Sequence, residues 1–267
     1  MDNKILNRLQ EHLEDTLAAH NYPDWFVICL QGSQNYGIAD EESDIDSKFL
    51  VLPSLEQLVF NKPAISKTHV MPNNEHCDIK DVREYFKIFR KQNINFVEIL
   101  FTDYYIVNPK FQEEWNLLKE NAEDIARYDV FRAIKCMKGM MLEKYHALCH
   151  EYPSRMYWIE KYGFDPKQLS HMIRILDFIN KYCAGVPYKQ CLQVTYPEYV
   201  LAVKRNTIGY NLETAKLKAE EVKESVEEIA DYFCSSLGKG KINLSIDELL
   251  NSVLYSLITK NLKDVLK

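Results

Sequence analysis

QGSQNYGIADEESDID, residues 31–46, joins two apolar runs, WFVICL (25–30) and IDSKFLVL (45–52). Gly32 ends the first run and Pro53 closes the second, so both read as short buried strands linked by an acidic turn. In the second strand Asp44 and Asp46 stand at i and i+2 and fall on one face, while Ile45 between them faces the core. Two carboxylates that close repel each other unless a cation lies between them. Such hard oxygen donors suit Mg²⁺, with Mn²⁺ a workable substitute. Mg²⁺ takes one or two carboxylates and completes its shell with water and phosphate oxygens. Upstream, Gly32 lets the backbone approach a phosphate, and the exposed N–H groups with the Ser33 hydroxyl form an anion cradle.

A metal site for phosphoryl chemistry wants a third carboxylate, and HCDIK (76–80) supplies Asp78 on a third candidate strand. Phosphate cradle and acids then lie on adjacent strand ends, the arrangement that two-metal nucleotidyl transfer requires. Asp44, Asp46 and Asp78 are therefore the candidate catalytic residues and metal ligands.

The rest of the chain sets these pieces in an α+β frame. Residues 3–19 carry Ile5, Leu6, Leu9, Leu13 and Leu17 at helical spacing. Residues 53–74 are mixed, with three prolines and the turn signal Asn73-Asn74. Asp81 sits where a helix cap belongs, ahead of VREYFKIFRKQ. From about Glu113 the pattern is helical: 113–149, 166–183, 196–206, 211–236 and 246–266, with Gly238-Lys239-Gly240 as a flexible break. The expected division is a small mixed-sheet catalytic domain at 1–110 and a helical domain at 111–267 that completes the nucleotide and acceptor cleft.

The chain of 267 residues is 46% apolar, enough for a substantial core, and its net charge of −6 excludes a uniformly basic nucleic-acid binder. The charge is uneven. Residues 1–110 hold 11 Lys/Arg against 17 Asp/Glu, and residues 127–218 hold 15 against 8. An acidic half that holds metal ions beside a basic half that meets an anion fits this split. Seven scattered cysteines without a Cys-x-x-Cys pair read as reduced thiols of a cytoplasmic protein. The acid-bearing amphipathic N-terminus reads as an ordinary helix and not as a targeting peptide, and no apolar run reaches membrane-spanning length.

With these motifs in hand, the chain resembles the DNA polymerase β-like nucleotidyltransferase superfamily, whose signature is Gly-Ser, a spacer, an acid-x-acid pair and a later strand acid. More narrowly, GSQNYG (32–37) and SDID (43–46) are similar to the predicted nucleotidyltransferases associated with RNA ligases. NINFVEIL (93–100) and YGFDPKQLSHMIRIL (162–176) are similar to two further blocks of that family. Two departures are visible. Gln34 stands where the family often has arginine, which removes one phosphate contact, and Ile94 replaces a proline in a loop. The resemblance implies a Mg²⁺-dependent enzyme that moves an NMP from an NTP, ATP first among them, to an acceptor hydroxyl such as an RNA end. The rivals are a protein-AMPylating enzyme of antitoxin type and a catalytically inactive nucleic-acid-binding module.

In the helical half, Lys167, His171 and Arg174 stand at i, i+4 and i+7 on one helix stripe. They either grip the triphosphate, joining Gly32 and Ser33 as nucleotide-binding residues, or form a solvated basic face. YPSRMYWIEKYGF (152–164) interleaves aromatics with Arg155 and Lys161, and either stacks a base or packs helices together. His146, Cys149 and His150 lack a fourth ligand in reach and read as helix-end residues rather than a zinc site.

Overall fold

The computed structural model describes residues 3–22, 24–40, 43–237 and 241–263. The expected break at Gly238-Lys239-Gly240 lies outside the described residues. The fold is α+β, as the pattern implies. In chain order the elements are α1 (Asn3–Ala19), β1 (Asp24–Gln31), β2 (Asp46–Leu52), α2 (Leu55–Val59), β3 (Ser66–Val70), β4 (His76–Asp81), α3 (Val82–Lys91), α4 (Ile94–Val97), β5 (Tyr105–Val107), α5 (Gln112–Glu120) and α6 (Ala122–Ala126). The helices α7 (Val130–Ala147), α8 (Met156–Tyr162), α9 (Pro166–Cys183), α10 (Tyr188–Leu192), α11 (Pro197–Arg205), α12 (Leu212–Leu237) and α13 (Leu244–Leu262) follow.

These elements form two compact units. The first contains residues 1–35, 39–129 and 242–267, and the second contains residues 36–38 and 130–241. The division differs from the expected boundary after residue 110. The helices α5 and α6 belong to the sheet unit, and so does α13, which returns to it from far along the chain.

The sheet unit is built on five strands in the order β3-β4-β2-β1-β5. The central strand β2 runs antiparallel to β1 and parallel to β4. On one face, Ile5, Leu9 and Leu13 of α1 pack onto Ile28, Leu30, Phe49, Val51, Cys77 and Ile79. Residues 46 to 52 of β2 are buried or half-buried throughout, which identifies a strand covered on both faces. The edge strand β3, SKTHV, is mostly exposed and lacks an apolar alternation. That is why a sequence pattern passes over it, and why β4 is the fourth strand rather than the third.

Helix α3 starts as expected, with the Asp81 carboxylate accepting from the Arg83 N–H at 2.8 Å. The stretch 113–149, expected to be helical, is not one helix. Its breaks fall at Asn121, whose side-chain amide caps the Leu117 carbonyl at 2.9 Å, and at residues 127–129. On α13, Ile246, Leu250, Val253 and Leu257 are buried, and the Asn261 amide donates to the Pro53 carbonyl at 2.9 Å. Arg90 of α3 pairs with Asp247 at 2.7 Å. In the helical unit α9 is the hub, packed against α7, α10, α11 and α12. No helix among the described residues is long and apolar enough to cross a membrane.

The placement of α13 is testable. Leu250 is fully buried, so Leu250→Ala should destabilise the sheet unit by about 2–5 kcal/mol. In a Trp158→Phe background, Trp25 and Trp115 report on that unit alone during urea unfolding. An unchanged Trp25/Trp115 midpoint would mean that α13 does not complete this core.

Candidate active site

The ladder between β1 and β2 decides where the candidate residues stand. Gln31, the last residue of β1, is the register partner of Asp46, the first residue of β2. The Gly32-Ser33 turn therefore leaves β1 beside the strand end that carries Asp46. Gly32 has φ +89°, a conformation that glycine adopts without strain, and its carbonyl accepts from the Asn35 N–H at 2.9 Å. The Asn35 side chain caps the Leu30 carbonyl at 3.0 Å. Ser33 starts a single turn of 3₁₀ helix, Ser33–Tyr36.

Asp44 is exposed and precedes the strand, so the acid pair straddles the start of β2 rather than lying within it. Ile45 between the two is buried, as the alternation requires. Asp46 is half-buried, and its Oδ1 accepts from the His76 N–H at 2.9 Å. Asp78 is the register partner of Lys48 on the parallel ladder. Its Oδ2 lies 3.3 Å from Lys48 Nζ, and its Oδ1 lies 3.6 Å from Lys80 Nζ. Lys48 is only 4% exposed and sits 4.2 Å above the Phe96 ring. A buried ammonium needs a counter-charge, and Asp78 supplies it.

Among the described residues, no three His, Cys, Asp or Glu side chains gather as a metal-holding group. Asp44 and Asp46 offer hard carboxylate oxygens at a strand end, and that donor set fits Mg²⁺ or Mn²⁺. Asp78 fits as a further ligand only if it exchanges its lysine partners for the ion.

Two residues at this strand end escape a reading by spacing. Glu75, just ahead of β4, is buried, and its Oε1 accepts from the Ile45 N–H at 3.1 Å. His12 of α1 is fully buried, 3.0 Å from Glu75 Oε2 and 2.9 Å from the Ser47 hydroxyl. Burial is the largest influence on each and works in opposite directions. It lowers the histidine below its ordinary value and would raise the carboxyl. In Glu75 the hydrogen bonds from Asn73, Arg8, His12 and Ile45 outweigh burial, and the carboxyl falls to about 2.

The nucleotide candidates on α9 fall in the helical unit. Asp165 caps the helix, accepting from the Lys167 N–H at 3.0 Å, with Pro166 at the first helical position. Lys167 and His171 are partly exposed, whereas Arg174 is 5% exposed, so the three do not form one solvated stripe. Arg174 stacks its guanidinium 4.0 Å from the Tyr36 ring centroid, and its Nε has no hydrogen-bond partner among the described residues. The Tyr36 carbonyl accepts from the Val194 N–H at 3.1 Å, which fastens the segment 36–38 to this unit. A Cβ on Gly37 would meet the Gln193 side-chain oxygen at 2.8 Å. Burial, and then the charges of Arg174, Lys167, Lys144 and Lys204, hold His171 well below its ordinary value. It is therefore a neutral imidazole at pH 7 rather than a third cation. No residue of α8 is buried; Trp158 and Tyr162 stack with centroids 5.9 Å apart, and Lys161 lies 5.0–5.8 Å from three rings.

A family described as the RNA repair pathway DNA polymerase beta family (RlaP) matches residues 1–176. No curated protein matches the chain.

The depressed His12 makes a stability prediction with a definite sign. Below the ordinary histidine value of about 6.5 the unfolded chain takes up a proton that folded His12 refuses. The stability present at pH 7 is thus lost progressively as the pH falls below 6.5 toward the lowered folded value. Urea midpoints of the wild type should drop more between pH 7 and pH 5 than those of His12→Asn. Parallel pH profiles would show that His12 is not responsible.

Proposed function

The chain belongs to the RNA repair pathway DNA polymerase beta family, and on that premise we propose that it is a Mg²⁺-dependent nucleotidyltransferase acting on RNA ends. The observation that carries this reading is the pairing of Gln31 with Asp46, which sets the Gly32-Ser33 turn beside the acid-bearing strand end. The acceptor hydroxyl oxygen attacks the α-phosphorus of the NTP. A phosphorus–oxygen bond to the acceptor forms as the hydroxyl gives up its proton to water, the bond to the β-phosphate breaks, and pyrophosphate leaves.

Asp44 and Asp46 hold the metal, and Asp78 serves as the third carboxylate on the acceptor side. Metal held there would supply positive charge against the charge that develops in the transition state. Lys48 has to yield Asp78 for this to happen, and the phosphates of the bound NTP would then supply its counter-charge. Gly32 and Ser33 bind phosphate oxygens through a backbone amide and a hydroxyl. In the helical unit Arg174, Lys167 and neutral His171 bind the same class of group. A buried guanidinium whose Nε has no hydrogen-bond partner among the described residues suits a phosphate. Fixed charges and dipoles supply most of the rate, because phosphoryl transfer asks little covalent chemistry of the protein. Family membership and the basic balance of residues 127–218 support RNA as the acceptor.

The decisive experiment incubates the purified full chain with each labelled NTP and Mg²⁺, with and without RNA of defined 3′ ends. Label transferred to RNA supports the proposal; label on a protein acceptor instead would make the chain an AMPylating enzyme.

Asp44→Asn and Asp46→Asn should each abolish transfer while leaving the melting temperature unchanged or higher, since one of two repelling carboxylates is gone. Near-wild-type turnover in either variant would remove the metal role.

Arg174→Ala should weaken ATP binding by about 1.5–3 kcal/mol, the loss of a hydrogen bond to a charged group. Arg174→Lys should recover only part of it, because an ammonium lacks the bidentate fork. Isothermal titration with ATP reads both, and wild-type affinity in Arg174→Ala would place the phosphates elsewhere.

A further inference from the structure

The start of β2 is held by residues that no nucleotide or metal touches in the reading above. The β3–β4 hairpin turns through residues 71–75, where the Met71 N–H donates to the Glu75 carbonyl at 2.8 Å and the Glu75 N–H donates to Asn73 Oδ1 at 3.2 Å. That turn presents Glu75 to the chain between the two aspartates. Glu75 Oε1 accepts from the amide of Ile45, the residue that separates Asp44 from Asp46. The next amide of the hairpin, that of His76, donates to Asp46 itself. Oε2 is taken by Arg8, through Nε at 3.1 Å and Nη2 at 2.5 Å, and by His12 Nε2 at 3.0 Å. His12 in turn reaches the hydroxyl of Ser47, the residue after Asp46. Three consecutive residues, Ile45, Asp46 and Ser47, are thus tied down through Glu75, His76 and His12.

A carboxylate in this position has a cost. It is buried, and it adds a negative charge near a pair of carboxylates that already repel each other. Core packing would be served at least as well by an apolar residue, because a buried ion pair rarely adds net stability. What an apolar residue cannot do is accept the Ile45 N–H. Resting on the proposed metal role of Asp44 and Asp46, we propose that Glu75, set by Arg8 and His12, is a positioning residue for that pair. It clamps the intervening amide, so the two carboxylates do not have to be ordered at the moment the ion binds. A ligand set held in place beforehand binds more tightly than one that must first be arranged, and partners that orient metal ligands are commonly worth about 10–100-fold in affinity.

The test uses the full chain and Mn²⁺ alone, with free Mn²⁺ followed by electron paramagnetic resonance. Glu75→Ala should weaken Mn²⁺ binding by about 10–100-fold. Glu75→Gln should recover most of it, because the amide oxygen can still accept the Ile45 N–H. Hydrogen exchange of the peptide spanning residues 43–49 should quicken in Glu75→Ala and return toward wild type in Glu75→Gln. Leu257→Ala, buried on α13 and remote in sequence, should destabilise the same unit and leave Mn²⁺ affinity unchanged. If Glu75→Ala fails to fold, Arg8→Gln removes one support from a partly exposed position and should weaken Mn²⁺ in the same direction.

Several results would overturn the inference. Wild-type Mn²⁺ affinity in Glu75→Ala or Arg8→Gln would do so, and so would an equal loss of affinity in Leu257→Ala, which would make the effect general instability. Asp44→Asn and Asp46→Asn separate the two levels. If they abolish Mn²⁺ binding while Glu75→Ala does not, the positioning role alone is wrong; if they bind Mn²⁺ like wild type, the metal role fails and the inference falls with it.

Discussion

The pairing of β2 with its two neighbours is the constraint on which the sheet unit depends. Buried on both faces, β2 must satisfy its backbone entirely through the antiparallel ladder to β1 and the parallel ladder to β4. Those registers leave no freedom in what meets what. A slip of one residue would turn Asp46 and Lys48 toward the apolar cluster under α1 and send Phe49 to the opposite face. The Gly32 turn, the acid pair and the Lys48–Asp78 ion pair all inherit their places from this one arrangement.

Charge is handled differently in the two units. At the end of the sheet, acidic and basic groups neutralise one another at close range: Asp78 with Lys48 and Lys80, Glu75 with Arg8. Around α9, positive charge is accumulated instead. Arg174, Lys167, Lys144 and Lys204 act together on His171, and Arg174 lies against the Tyr36 ring. A cation–π contact holds a guanidinium in a fixed plane without cancelling its charge. It leaves the positive potential available to an anion.

Local rules made much of this legible. Short apolar runs closed by Gly32 and Pro53 identified β1 and β2, and the acid spacing marked Asp46; the cap rule marked Asp81. Lys48 obeys the same alternation, two residues beyond Asp46, and a reading that continued along that face would have reached it. Glu75 and His12 carry no such signal. They are 63 residues apart, and only the fold brings them together. Arg174 misleads for a related reason. A helical period puts it in line with Lys167 and His171, but the period does not say which part of the line is covered. Strand β3 is silent because an exposed edge strand has no buried face to impose a pattern. The breaks near Asn121 and residues 127–129 involve neither glycine nor proline, so the run 113–149 reads as continuous.

The return of α13 to the sheet unit has a consequence for biosynthesis. About 110 residues of the helical unit separate this helix from the rest of the core it completes. At translation rates of about 5–20 residues per second, the strands and α1–α6 wait roughly 5–20 s for Leu250 and its neighbours. During that interval the apolar surface of the nascent chain that receives α13 is open to water. It is a natural binding surface for a chaperone at the ribosome.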